Sequence, residues 1–83
     1  MSITVTVKLF AAYQEAYGKS ELKAVYSEPV TVAQALEKII QEKPELEKWR
    51  EITRFGVNLQ FVPENTLLNN GDELVFIPPV SGG

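Results

Sequence analysis

Eighty-three residues, 45% of them apolar and 23% charged, set the scale of one small globular domain, residues 1–83, with a sufficient but modest core. The net charge of −3, with eight scattered Lys and Arg, argues against a nucleic-acid partner, and no apolar run approaches the roughly 18 residues of a membrane span. The chain contains no His and no Cys, which removes the usual general base, the thiolate nucleophile, the commonest metal ligands and any disulfide framework.

Residues 3–9 alternate, with Ile3, Val5, Val7 and Leu9 in one phase and Thr4, Thr6 and Lys8 in the other. Period two with β-branched residues predicts a strand with one buried face. Phe10, Tyr13 and Tyr17 then fall at helical spacing, and Gly18 suits the left-handed residue past a helix end. Residues 21–26 alternate again and predict a second strand.

The main helix is announced at Thr31. Thr31 with Gln34 matches a capping box, and Val30 with Ala35 a hydrophobic staple. Val32, Ala35, Leu36, Ile39 and Ile40 form one apolar stripe, and Glu37, Lys38, Gln41 and Glu42 form the wet side. Pro44 ends this helix or opens a new turn, because it lacks a donor and constrains Lys43. Leu46 and Trp49, three apart, are placed to seal the core. The alternation of residues 55–61 predicts a third strand. Asn70-Gly71 predicts a hairpin turn between Leu67-Leu68 and Leu74-Val75. Residues 73–77 are apolar in both phases, as expected of a strand near the centre of a sheet. A mixed sheet with one helix across one face satisfies the two-layer rule, in the α+β class.

Most other features have structural explanations. Asn69 to Glu73 lacks the spacing of a calcium loop and fits a turn. Glu42, Glu45 and Glu47 read as a solvated face, and Phe10, Tyr13 and Trp49 as core. Serines at 2, 20, 27 and 81 have no histidine to activate them, so self-contained catalysis is not expected.

The stretch that carries chemistry is Pro78-Pro79-Val80-Ser81-Gly82-Gly83. Two readings stay open for Gly82-Gly83. One is an inert end. In the other, the Gly83 carboxylate is activated by adenylation and handed to a nucleophile, because a carboxylate is a poor electrophile at neutral pH. Lacking Cβ atoms, the two glycines can enter a channel too narrow for other residues. Pro78-Pro79 stops ladder pairing and, on the second reading, stiffens an arm that loses less entropy on insertion. The start, Met1-Ser2-Ile3-Thr4-Val5, lacks the basic-then-apolar order of a secretory signal, so a cytoplasmic location is expected.

Gly71-Asp72-Glu73-Leu74, followed by Phe76-Ile77-Pro78-Pro79-Val80-Ser81-Gly82-Gly83, resembles the small subunits of molybdopterin synthase. These belong to the ubiquitin-like sulfur carriers. The resemblance runs through the opening strand, Leu9-Phe10-Ala11-Ala12, the main helix and Val57-Asn58 to the tail. Gln14, before Glu15, stands where many members carry Arg.

The resemblance implies a β-grasp fold, a mixed sheet of four to five strands with one main helix on one face, and residues 78–83 as a C-terminal arm. It implies that an ATP-dependent enzyme, supplying ATP and Mg, adenylates Gly83 and that a sulfur donor converts it to a thiocarboxylate. AMP and sulfur are then transient covalent groups, and no cofactor is bound permanently. The arm enters the large synthase subunit and gives sulfur to a cyclic pyranopterin precursor. Gly82 allows passage, Pro78, Pro79, Val80 and Ser81 meet the partner, and Phe76 joins an apolar docking patch if its face is exposed. Two small subunits on a large-subunit dimer are expected, with no membrane partner. Related alternatives are a carrier for the thiazole of thiamin and a protein modifier linked to lysines. A plain interaction module with an inert tail remains the non-carrier alternative.

Overall fold

The first strand, β1 (Ser2–Leu9), buries Ile3, Val5, Val7 and Leu9, the phase the alternation selects. In this computed structural model, which describes residues 1–77, helix α1 (Ala12–Tyr17) and strand β2 (Glu21–Ser27) come next. Helix α2 (Val32–Glu42), a 3-10 turn (Pro44–Trp49) and strands β3 (Arg54–Val57), β4 (Gln60–Val62) and β5 (Glu73–Ile77) complete the order. The expected arm, residues 78–83, lies outside the described residues, and with it the roles given to Pro78, Pro79, Val80, Ser81, Gly82 and Gly83.

Five strands form one mixed sheet in the order β2-β1-β5-β3-β4. β1 and β5 are parallel, and the other pairs are antiparallel. β5 is central, as its two apolar phases require. α2 begins with the capping box formed in full, Thr31 Oγ1 accepting from the Gln34 amide and Gln34 Oε1 accepting from the Thr31 amide. It buries Val32, Ala35, Leu36, Ile39 and Ile40, the predicted stripe. Gly18 caps α1 in the left-handed region. Leu46 is buried beneath the 3-10 turn, with Trp49 partly so.

Two expectations are corrected. Residues 55–61 are not one strand but the hairpin β3-β4, turning at Asn58 and Leu59, which adopt φ of 50° and 70°. A two-residue turn with both φ positive matches the twist of the flanking strands, and so forms although no glycine is present. Asn70-Gly71 makes a turn but no hairpin, because Leu67 contributes only a single bridge, to Thr31. Instead the turn hooks onto β1: the Gly71 amide donates to the Thr4 carbonyl at 2.8 Å, and Asn70 Oδ1 accepts from the Thr4 amide at 2.8 Å.

Candidate functional site

Everything leading into residues 78–83 passes through β5, so the candidate site is the C-terminal end of that strand with its surroundings. The start of β5 is fixed by polar contacts. The Glu73 amide donates to Asn58 Oδ1 at 3.0 Å, and Asn58 Nδ2 donates to Asp72 Oδ1 at 3.0 Å. Asp72 Oδ2 accepts in turn from the Asn69 amide at 2.8 Å. These bonds pin the β3-β4 turn and the Asn69–Asp72 turn to the same point, which sets the register of β5. Ladders on both sides then hold the strand, the one to β1 as far as Phe76 and the one to β3 as far as Ile77.

Along β5 the side chains divide. Leu74 and Phe76 point into the helix-covered face and are fully buried. Phe76 packs against Tyr13, ring centroids 5.6 Å apart, and edge-on to Phe55 at 5.9 Å. The expected docking role of Phe76 is therefore corrected: its face is the core. Phe10, expected in the core, is half exposed just beyond the end of β1, whereas Tyr13 is buried as expected. Gln14 is exposed on α1.

Val75 and Ile77 point to the other face of the sheet, which no helix among the described residues covers. The register places Gly56 opposite Val75 and Phe61 opposite Gly56. A Cβ on Gly56 would stand 3.8 Å from both Val75 Cβ and Ile77 Cδ1, so the three residues share one surface. Phe61 is 78% exposed on it. Arg54, paired in register with Ile77, stands at its edge. A cleft of about 1020 Å³ opens there, lined by Ile52, Arg54, Phe61, Pro63, Ile77 and others.

The composition reading missed Phe61, Val75, Ile77, Gly56 and Arg54. The available signal was the apolar second phase of β5, Val75 and Ile77. Phe61 was hidden by the turn. In a two-residue hairpin the phase inverts, so Val62 pairs with Phe55 on the inside while Phe61 faces outward.

The electrostatics around the site are structural. Burial holds the phenols of Tyr13 and Tyr26 above the ordinary range, Tyr26 at about 12, while the Tyr13 hydroxyl shares a hydrogen bond with Thr53 that opposes the shift. Lys8 bonds Glu21 at 2.7 Å, which raises the ammonium and lowers the carboxyl. Arg50 joins Glu37 and Glu47 and lowers the Glu37 carboxyl. Among the described residues no three His, Cys, Asp or Glu are placed to hold a metal, and no helix is long and apolar enough to cross a membrane.

The architecture is that of a ubiquitin-like β-grasp protein, α+β, with its central strand feeding the C-terminal segment. The solved small archaeal modifier protein 1 of Haloferax volcanii superposes with a TM-score of 0.80 at 27% identity, covering 96% of this chain and 99% of that one. The ThiS family model matches residues 7–83, and the chain belongs to that family. It is 33% identical to the molybdopterin synthase sulfur carrier subunit of Mycobacterium tuberculosis, over 98% of this chain and 99% of that protein. It also resembles, at 26% identity and a TM-score of 0.66 over 98% of this chain and 100% of the other, a solved chain from Helicobacter pylori. That structure is a protein–protein complex of subunits 1 and 2 of molybdopterin-converting factor.

Proposed function

We propose that this protein is the sulfur-carrying small subunit of a molybdopterin synthase, with the Gly83 carboxylate as its working group. The observation that carries the reading is the alignment with the M. tuberculosis sulfur carrier subunit along nearly the full length of both chains. The open apolar face beside the end of β5 supports it, since a partner that takes up the arm needs a docking surface next to the arm's root.

In the proposed sequence, an activating enzyme, with ATP and Mg, transfers AMP to the Gly83 carboxylate and releases pyrophosphate. Sulfide-level sulfur (HS⁻) from a donor attacks the acyl carbon and displaces AMP, leaving a thiocarboxylate. The large subunit then receives the arm and passes the sulfur to a cyclic pyranopterin precursor, and hydrolysis restores the carboxylate. Gly82 fits the narrow passage, while Pro78 and Pro79 limit the entropy lost on insertion. The chain catalyses nothing alone: with no His and no Cys, its part is to present a backbone group. A large synthase subunit as partner draws support from the H. pylori complex, which this chain resembles in fold and sequence.

A second reading, a modifier attached to lysines by an isopeptide bond, is favoured by the likeness to the H. volcanii modifier protein. Mass spectrometry of protein from its own host separates the two. An oxygen-to-sulfur mass gain confined to the C-terminal peptide supports the carrier, and Gly-Gly branches on lysines support the modifier. Deleting Gly83 should leave the fold intact and abolish sulfur transfer in a reconstituted synthase assay. Full transfer by the truncated protein would refute the carrier function.

A further inference from the structure

We infer that Arg54 and the cleft around it receive a carboxylate flanking an apolar side chain on the protein that takes up the arm. The inference rests on the docking role given above to the open face, and it adds the group that orients the docking.

Arg54 is the first residue of β3 and lies opposite Ile77, the last residue of β5, and both line the same cleft. The two arginines of the chain are treated differently. Arg50 is tied to Glu37 and Glu47. Arg54 forms no ion pair among the described residues, although Glu51 and Glu64 line the same cleft. Ile52 and Phe61, both exposed, provide apolar walls beside it.

By strand register the strands of the open face carry Lys8, Lys23 and Arg54 against Glu21 and Glu73, and Glu51 and Glu64 add negative charge at the cleft itself. Lys8 is already paired with Glu21, and Lys23 donates to Thr6. Arg54 is thus the cation of this face without a partner among the described residues. A guanidinium offers a planar fork that matches a carboxylate, and it stacks on apolar and aromatic surface more readily than an ammonium. A partner that places a carboxylate there gains orientation, because a rotated docking would take that acid away from the Arg54 guanidinium and leave it unpaired. The apolar contact between Phe61, Val75 and Ile77 and the partner is by itself non-directional.

The test uses the intact chain and the large synthase subunit of the same organism, with binding measured by calorimetry at low and high salt. Circular dichroism first establishes that each variant is folded. Arg54→Glu should weaken binding about tenfold or more at low salt, an effect that shrinks at high salt. Arg54→Leu should lose less and flatten the salt dependence. Replacing the facing acid of the large subunit by Lys should restore binding to Arg54→Glu. If Arg54→Glu binds like the parent while Phe61→Ser does not, the open face docks but the Arg54 assignment is wrong. If Phe61→Ser also binds normally, the docking role itself fails. Tighter binding by Arg54→Glu would mean that Arg54 holds the chain's own C-terminal carboxylate, and would overturn the inference.

Discussion

On β5, Leu74 and Phe76 are fully buried against the helices, whereas Val75 and Ile77, equally apolar and one residue away, lie half-buried on a face that none of the described helices covers. The two faces of one strand thus serve different ends. The covered face holds the molecule together through a single core that joins both helices to four of the five strands by their buried residues. The open face spends apolar surface where it adds little to folding, which makes sense if a second protein covers it.

Substitutions can separate the faces. The largest effect is expected on the covered side: Phe76→Ala should cost about 3–5 kcal/mol, a large part of the stability of a domain this size, as read by urea denaturation. Raising the pH attacks the same face. Tyr13 and Tyr26 hold their protons more tightly folded than unfolded, so the stability they confer is complete below about pH 10. It should fall as pH rises from there through about 12, the Tyr26 value, and denaturant midpoints measured across that range should drop. A denaturant midpoint that stays flat across it would place the ring hydroxyls in water. Smaller still, Thr31→Ala removes the side-chain acceptor of the capping box and should cost about 1 kcal/mol, seen as a lowered melting temperature. Smallest in stability is Phe61→Ser on the open face, expected to stay within about 0.5 kcal/mol of the parent while docking to the large subunit is lost. A large destabilisation by Phe61→Ser would erase the distinction between the faces.

Where the physics is local, the sequence was a sufficient guide. The capping box at Thr31, the five-residue stripe of α2, the left-handed Gly18 and the phase of β1 all formed as the pattern requires. Each depends on residues within a few positions of one another. The failures involve a partner distant in sequence or a choice between equal phases. Phe55 to Phe61 alternates without a break, and the turn at Asn58-Leu59 is invisible because Leu59 carries no turn signal. Asn58 takes its turn conformation in company with Asp72 and Glu73, fifteen or fewer residues further along. Asn70-Gly71 kept its turn but exchanged the expected hairpin partner for β1, more than sixty residues away.

The candidate site shows the same division. The motif from Gly71 to Gly83 named the family and pointed to the C-terminus, since a run of residue types is read directly from the chain. Which side of β5 a partner could touch was not legible there, because Leu74, Val75, Phe76 and Ile77 are all apolar and alternation offers two equal phases.

By its own pattern, then, the chain determined its strands, its one capped helix and the glycine-ended segment that β5 delivers, through forces that act over neighbouring residues. Only the folded sheet decided that Phe76 lies inside, that Phe61, Val75 and Ile77 lie on the other face, and that Arg54 stands beside Ile77. Those outcomes depend on which strand lies next to which and on which face the helices settle, and packing between distant segments sets both.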